Sequence, residues 1–261
     1  MCMGLYWKSF FMDIKCEMEY KVSFILMTIA STLSAAFVIL GNVILLNKFG
    51  SIDGWTLNEI ILITGIAVFG HVTTEMFGRG LDHFYKQVKN GLLDRILVRP
   101  RSITLQVLCS EFQLSKVGRL LESIILLVYG ICTINVSWNG YKVFVMLLML
   151  IGSCVLFFSI LLIKAAFSFW TIEGMEFMNI LSDGGRDLAS YPISIYQKWF
   201  GIIFTYVIPF GCVNYFPVLY LLEKGNYPSW YGLTPLVTFV FLGISYLVWK
   251  IGVSKYQSVG S

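Results

Sequence analysis

Long apolar stretches constrain the fold of this chain more than any other feature of its sequence. The stretch from Val22 to Leu46 runs for 25 residues without a charged side chain. As a helix it measures about 37 Å, more than the hydrocarbon core of a bilayer, which is about 30 Å thick. The sequence therefore predicts an all-α membrane protein with six transmembrane helices. They are predicted at 22–46, 57–77, 103–134, 141–170, 199–222 and 231–249.

Composition supports this fold class and limits the number of domains. Hydrophobic residues make up 57% of the chain and charged residues 13%, whereas soluble domains carry roughly a quarter charged residues. Because six spans and their connections use the whole length, we expect residues 1–261 to form one transmembrane domain. Residues 1–21 are predicted to form an interfacial helix with its large apolar side chains on one face. Those side chains are Trp7, Phe10, Phe11, Ile14 and Met18.

The distribution of Lys and Arg predicts the orientation in the membrane. With the N-terminus in the cytoplasm, 15 basic residues fall on the cytoplasmic side and three, Lys48, Lys142 and Lys224, fall outside. Cytoplasmic loops of membrane proteins carry an excess of Lys and Arg. Both termini are therefore expected in the cytoplasm.

Two topologies remain open for residues 171–222. In one, 199–222 is a complete span. In the other, 171–190 crosses the membrane and 191–222 forms a re-entrant hairpin that enters from the outer side. This second topology places 13 Lys and Arg residues inside and five outside. Hydropathy favours the complete span. Pro209 and Pro217 favour an irregular segment, because broken backbone at membrane depth needs protein or water around it.

Charged residues within the predicted spans are few, and we expect them to pair locally. Glu75 lies four residues before Arg79, and Arg119 lies three residues before Glu122, both suitable spacings for pairs on one helix. Lys164 is predicted near the cytoplasmic end of the fourth span, where its long side chain is expected to extend to the interface. Nearly charge-free span centres argue against an ion-driven secondary transporter.

The longest hydrophilic interruption between two apolar segments is the loop 79–101, RGLDHFYKQVKNGLLDRILVRPR. It is predicted to contain two short amphipathic helices, separated by Gly91 and ended by Pro100. The orientation places this loop in the cytoplasm. From its residues alone it is either a docking surface for a partner or a passive interfacial structure.

Several kinds of chemistry are missing from the sequence. It contains no GxxxxGK[ST] phosphate loop, so the chain is not expected to hydrolyse ATP. It has no HExxH motif or GxSxG elbow, and His71 and His83 are its only histidines. None of the six cysteines forms a CxxC pair. We expect no catalytic residue, no metal site and no cofactor bound by this chain.

Two sequence blocks resemble the bacterial ABC type-2 exporter permeases, near the drug- and peptide-efflux members. The first, VKNGLLDRILVRPRS at 88–102, is similar to their Gly-x-Leu-Asp-x-x-Leu-x-(Arg/Lys)-Pro signature. The second, YPISIYQKWFGIIFTYVIPFGCVNYFPVLYLLE at 191–223, is similar to their Tyr-Pro-x-x-Ile-Tyr and Ile-Pro-Phe…Tyr-x-Pro pattern. It departs from that pattern at Gln197 and Lys198, where proline is frequent. With the arrangement of spans, the resemblance covers nearly the whole chain.

The resemblance implies a permease dimer in the bacterial cytoplasmic (inner) membrane, as a homodimer or with a similar chain. It implies separate ABC ATPase subunits that use ATP and Mg, contact with the lipid bilayer and no nucleic-acid partner. The loop 79–101 would hold a cytoplasmic coupling helix, and the second block would close the exit as re-entrant helices. The implied coupling residues are Gly91, Leu92, Leu93, Asp94, Arg95, Arg99 and Pro100. The implied exit-gate residues are Tyr191, Pro192, Pro209, Asn214 and Pro217.

Two other functions stay open beside this one. An ion-driven transporter or channel would move its substrate without an ATPase, and a membrane assembly or immunity factor would move none. The resemblance favours export, and the high aromatic content of 16% suits an amphipathic or lipid-like molecule as the substrate.

Overall fold

The computed structural model describes residues 2–171, 178–225 and 227–256. Over these residues the prediction of an all-α fold is confirmed, with one isolated β-bridge between Ile52 and Trp55. The first eight helices are α1 (Cys2–Glu19), α2 (Lys21–Phe49), α3 (Leu57–Asp82), α4 (Phe84–Lys89), α5 (Leu93–Leu97), α6 (Ile103–Leu108), α7 (Val117–Thr133) and α8 (Gly140–Phe167). The others are α9 (Gly185–Ala189), α10 (Lys198–Ile202), α11 (Phe210–Val213), α12 (Tyr215–Leu221) and α13 (Val237–Ser254). Shorter turns of 3-10 or π-helix cover Leu114–Lys116, Ile180–Gly184, Ile193–Ile195, Ile203–Val207 and Ser229–Leu236.

Four described helical segments are long and apolar enough to cross a membrane. They are Lys21–Gly41, Leu57–Lys89, Gly140–Phe167 and Ser229–Ser254. The bent pair Lys198–Val207 and Phe210–Leu221 makes a fifth candidate if it is counted as one span. Helix α7 is apolar but has 17 residues, slightly short of the roughly 20 that a bilayer requires.

Helix α3 is the centre of the bundle, and α7 and α8 pack along it. Small side chains allow this close approach: a Cβ atom on Gly70 would clash with Ser153 of α8. The Ser153 hydroxyl donates a hydrogen bond of 3.1 Å to the carbonyl of Ile66, so the contact also satisfies a buried polar group.

Two buried clusters define the ends of the bundle. At one end, Trp55 packs with Ile60, Val145 and Leu219, and we call this the Trp55 end. At the other, Trp249 packs with Phe84, and we call this the Trp249 end. Helix α3 runs from the first end to the second.

The stretch 103–134, predicted as one long helix, is instead divided into α6 and α7. The residues between them have partners that a continuous helix would not reach. The backbone N–H of Gln113 donates to the Met76 carbonyl at 3.2 Å, and the carboxylate of Glu17 accepts the N–H of Leu114 at 3.1 Å. Glu111 turns to His83, 2.8 Å away. These long-range contacts outweigh the local helical pattern.

Residues 199–222, which form a complete span in the first of the two predicted topologies, do not form a straight helix. The segment bends by 75° between Val207 and Phe210, at Pro209. Both flanks of the bent segment lie at the Trp55 end. Trp55 Nε1 donates to Ser194 Oγ at 3.2 Å, and Lys224 Nζ donates to the Gly54 carbonyl at 2.8 Å. The segment therefore starts and finishes at the same end of the bundle.

Residues 178–190 run between the two ends of the bundle. Asn179 hydrogen-bonds to Lys164, in the last turn of α8. Further along, the Ser190 carbonyl accepts a hydrogen bond of 3.1 Å from Thr64, in the first half of α3. This stretch consequently leads from the Trp249 end towards the Trp55 end.

Candidate functional site

The loop between α3 and α6 is built on a buried aromatic base at the Trp249 end. The rings of Phe84 and Trp249 are 5.0 Å apart, centroid to centroid, in an edge-on arrangement, and Phe169 lies 5.3 Å from Phe84. Val88 and Leu93 complete this base, with Leu93 only 1% exposed. Burying such rings and aliphatic chains stabilises the loop by several kcal/mol in total, at about 1.5–3 kcal/mol for each large side chain. The loop is thus fixed to the bundle.

A buried ionic network attaches the start of the loop to α8. Lys164 Nζ donates to the carboxylate of Asp82, and Arg79 donates to the other oxygen of that carboxylate at 2.7 Å. Lys164 is 3% exposed. The prediction that it extends to the interface is wrong, because its charge is neutralised inside the protein.

A second contact joins the loop to the linker between α6 and α7. His83 Nδ1 lies 2.8 Å from Glu111, and Gln87 donates to Ser110 at 2.8 Å. Partial burial alone would raise the pKa of Glu111. The hydrogen bond and charge of His83, with Arg79 and Lys86 nearby, outweigh that effect and hold this pKa below its ordinary value. The contact with His83 is therefore expected to favour the ionised form of the Glu111 carboxyl group.

Gly91 makes the turn between α4 and α5, as the sequence predicts. Its φ is +66°, a left-handed conformation that a residue with a Cβ adopts only with strain. The Leu92 N–H then donates to the Gln87 carbonyl at 2.9 Å, closing the end of α4. The turn brings the second helix back over the buried base.

The tip of the loop is exposed and basic around an apolar centre. Val98 is 85% exposed, the highest value among the large apolar side chains of the described residues. Arg95, Arg99 and Arg101 are exposed around it. Leu92 and Leu97 are about four-tenths exposed on the same loop. We call Leu92, Arg95, Leu97, Val98, Arg99, Pro100 and Arg101 the loop tip.

The seven residues expected to contact a partner thus divide into different settings. Leu92, Arg95, Arg99 and Pro100 are exposed, whereas Leu93 belongs to the buried base and Gly91 forms the turn. Asp94 interacts with Tyr256, whose pKa is raised by burial and by the Asp94 carboxylate. Val98 was absent from the predicted set, although an apolar residue next to Arg-Pro-Arg was a visible signal.

The five residues expected to form an exit gate lie in the bent segment or just before it. Asn214 is 4% exposed, and its side-chain amide donates to the Ala189 carbonyl at 2.7 Å. Tyr191 and Asn214 line the same narrow gap of about 10 Å³. Pro209 lies at the bend, Pro217 is inside α12, and both Pro192 and Pro217 are buried. The structure therefore brings the two ends of this sequence block together.

Charged residues cluster in the interior, contrary to the expectation of nearly charge-free span centres. Glu75 lies 3.2 Å from Lys116 and 3.8 Å from Arg119. The expected pairs are wrong in both cases: Arg79 bonds Asp82 instead of Glu75, and Arg119 approaches Glu75 instead of Glu122. Both pairs were predicted within one helix. Arg79 does pair within α3, but with Asp82, whereas Arg119 on α7 approaches Glu75 on α3.

His71 is the functional candidate that sequence reasoning missed. It is 4% exposed, and its ring nitrogens lie 3.5 Å from Glu75 and 3.7 Å from Asp183. The edge of the Phe157 ring packs against it, with the centroids 5.0 Å apart. The i, i+4 spacing of His71 and Glu75 was a weak local signal. Asp183 comes from a distant segment and had no signal at all.

Comparison with known proteins agrees with this architecture. A sequence model of the family described as ABC-2 family transporter protein matches residues 22–260. No curated protein and no solved structure matches the chain.

Proposed function

The chain belongs to the ABC-2 transporter family, and we propose that it is the permease subunit of an ATP-binding-cassette exporter. The family and the apolar helices make it a multi-pass membrane protein and a transmembrane component, not a catalytic one. In our proposal two permease chains, identical or similar, form the translocation pathway. Separate ABC ATPase subunits bind ATP and Mg and supply the energy.

One observation carries the proposal: the loop 79–101 has an exposed tip on a buried base. Val98 and its neighbouring arginines are available to a partner, whereas Phe84 and Leu93 are held in the core. A force applied at the tip therefore acts on α3, α8 and α13, because the base packs on these helices. This is the mechanical property that a coupling element needs. A flexible loop would absorb the movement.

The proposed topology has six spans and both termini in the cytoplasm of a bacterium. The proposed spans are α2, α3, α7, α8, the stretch 171–190 and α13. Residues 172–177 of that stretch lie outside the described residues. The bent segment 191–222 then enters and leaves the bilayer on the outer side, where its position supports a role in closing the exit. The Trp249 end faces the cytoplasm, in agreement with the excess of Lys and Arg in the loop 79–101.

Exposed apolar side chains on several helices support contact with lipid and with a second permease chain. On α2, Phe37 is 69% and Ile44 68% exposed, and on α13, Val240 is 66% exposed. A monomeric soluble protein does not carry apolar surface of this extent. Lipid and the second chain together would cover it.

Co-purification tests the ATPase partnership. The permease would be expressed with each ABC ATPase of its source genome and purified from membranes by a tag on the permease. Arg95→Glu with Val98→Asp is expected to abolish ATPase recovery and leave permease yield unchanged. Lys48→Glu, a charge reversal on an exposed residue outside the loop, is the matched control. Equal ATPase recovery with the double variant and the control would refute the docking surface.

The buried charges favour one rival, an ion-driven transporter. Ionisable residues inside a membrane protein frequently mark proton or ion pathways. His71 is buried, and Glu75 and the exposed Asp183 lie beside it. Transport by ATPase-free vesicles that stops when the proton gradient is dissipated would support this rival. The exporter proposal expects no transport without the ATPase and ATP.

A further inference from the structure

Two adjacent residues of opposite charge follow the bent segment, and each pairs with a different helix. Glu223 accepts a hydrogen bond from Lys142 Nζ at 2.5 Å, and Lys142 lies in the first turn of α8. Lys224 Nζ donates to the carboxylate of Glu59, in the first turn of α3, at 2.6 Å. We call Glu59, Lys142, Glu223 and Lys224 the Glu223 cluster. It fastens the end of the bent segment to α3 and α8 at the Trp55 end.

The pair of Glu223 and Lys142 differs from an ordinary surface ion pair. Lys142 is only 3% exposed, whereas the side chain of Glu223 is 68% exposed. The hydroxyl of Ser137 joins them, accepting from Lys142 Nζ at 3.2 Å and donating to Glu223 at 3.3 Å. Exposed pairs contribute little to stability, but a buried ammonium group that loses its carboxylate is strongly unfavourable. The pair therefore holds Glu223 in place from one side.

Lys224 holds the chain from the other side through three kinds of contact. Besides its ion pair with Glu59, its ammonium group donates to the Gly54 carbonyl at 2.8 Å and lies 4.1 Å from the centre of the Trp55 ring. The face of an indole ring attracts a cation electrostatically. Because Trp55 belongs to a buried cluster, these contacts tie the end of the bent segment to the packed core.

The backbone at the Glu223 cluster is strained. Among the described residues, the non-glycine residues with positive φ are Asp53, at +49°, and Glu223, at +53°. Lys224 joins the two places, since it bonds the carbonyl of Gly54. Asp is enriched in this left-handed conformation, whereas Glu is uncommon there. Strained residues persist only where their surroundings fix them, and they are frequent in switch regions.

We propose that the Glu223 cluster is a latch that keeps the bent segment closed over the exit and detaches when the exit opens, an inference that rests on the proposed exporter function. The two ion pairs favour the closed state. The strained backbone opposes them, and the Glu223 carboxylate lies at the surface, where water can replace Lys142 as its partner. Such opposing contributions at one residue are typical of a switch region.

The reactivity of Cys212 tests the latch, because this residue lies in the bent segment and is only 8% exposed. It would be the single cysteine of the chain, labelled in intact cells with a membrane-impermeant maleimide added outside. Glu223→Lys, which faces Lys142 with a like charge, is expected to raise the labelling rate at least fivefold. Adding Lys142→Glu restores a pair of opposite charges and should return the rate to within twofold of the unsubstituted chain. Lys48→Glu, a charge reversal on an exposed residue in the last turn of α2, is the control and should change the rate less than twofold.

A second pair of variants isolates the strain. Glu223→Ala removes the ion pair and keeps a Cβ at the strained position. Glu223→Gly also removes the ion pair but adopts the left-handed conformation without strain. The closed state should therefore be less stable with alanine, and Cys212 should be labelled at least threefold faster in Glu223→Ala than in Glu223→Gly.

Three results would overturn the proposal. They are equal labelling of Glu223→Lys and Lys48→Glu, a double variant that reacts as fast as Glu223→Lys alone, and equal labelling of the alanine and glycine variants. Co-expression of the ABC ATPase that the permease recovers separates this proposal from the exporter, because it is expected to raise the labelling rate of the unsubstituted chain. Rates that follow the substitutions but not the ATPase would support the latch and contradict its use by an exporter.

Discussion

Leu93 and Val98 lie five residues apart in the same loop, yet Leu93 is 1% exposed and Val98 is 85% exposed. The first packs with Phe84 and Trp249, and the second points to solvent among three arginines. A short helix with its apolar face on the core produces this difference, because its end leaves the surface at Pro100. The two residues therefore allow stability and docking to be separated by experiment.

The same substitution at these two positions should have opposite consequences. Leu93→Asp buries an unpaired charge and is expected to cost more than about 3 kcal/mol, with loss of folded permease. Val98→Asp should leave the thermal midpoint within about 1 °C and abolish ATPase recovery. Thermal unfolding in detergent, followed by recovery of the ATPase, measures both effects. A large loss of thermal stability with Val98→Asp would contradict the assignment of the loop tip.

The ionic network around Asp82 predicts that substitutions of its members will lower the stability of the fold by different amounts. Asp82→Asn leaves both Arg79 and Lys164 without their carboxylate and should destabilise by roughly 3–5 kcal/mol, the range for breaking a buried ion pair. Lys164→Met should cost less, because Asp82 keeps its bond to Arg79. The thermal midpoints of the two variants show which substitution destabilises the fold more. A more severe effect from Lys164→Met would show that Arg79 does not compensate.

Glu111, in the linker between α6 and α7, and Glu17, which contacts that linker, should affect stability in opposite ways as pH changes. Glu111 has a pKa below 4.5 in the fold, so its stabilising contribution is present above pH 4.5 and is lost as pH falls through the folded value. Burial raises the pKa of Glu17 above 4.5, despite backbone hydrogen bonds from Leu114 and Ser115. Its ionisation therefore costs stability as pH rises above 4.5.

Thermal midpoints between pH 4 and 7 should display this contrast. Glu111→Gln is expected to lower stability at pH 7 and to have a diminishing effect towards pH 4. Glu17→Gln is expected to relieve a penalty at pH 7 that is absent at pH 4. If the thermal midpoints of both variants followed pH in parallel with those of the unsubstituted protein, neither carboxylate would change its pKa on folding.

Accessibility of introduced cysteines tests the bent segment. In a chain whose native cysteines are replaced, Ser194→Cys and Lys224→Cys should both react with a membrane-impermeant maleimide added outside intact cells. The contacts of Trp55 with Ser194 and of Gly54 with Lys224 place both at one end. Arg95→Cys, on the loop tip that we propose faces the cytoplasm, should not react. Labelling of only one of the first two would indicate a complete span at 199–222.

Local signals in the sequence were sufficient to predict α2 and the two short helices of the loop. The charge-free run that includes Phe37 predicted α2, and Gly91 and Pro100 predicted the limits of the short helices. Helix periodicity and backbone preferences act over a few residues, so they can be read directly.

Pairing between distant segments was beyond these signals. Lys164 and Asp82 are held together by the packing of α8 on α3, and a local rule assigned Lys164 to the interface instead. The division of 103–134 depends on Glu17 and His83, neither of which lies in that stretch. Asp183 reaches His71 only because 178–190 passes beside α3. Such contacts follow from tertiary structure.

Cross-linking from the loop tip tests the central claim most directly. Val98→Cys would be introduced into a chain without other cysteines, co-expressed with the ABC ATPase that the permease recovers, and treated with a short bismaleimide in membranes. The account predicts a permease–ATPase adduct from Val98→Cys and none from Lys48→Cys at the opposite end. An intact complex that yields the adduct only from Lys48→Cys would contradict it.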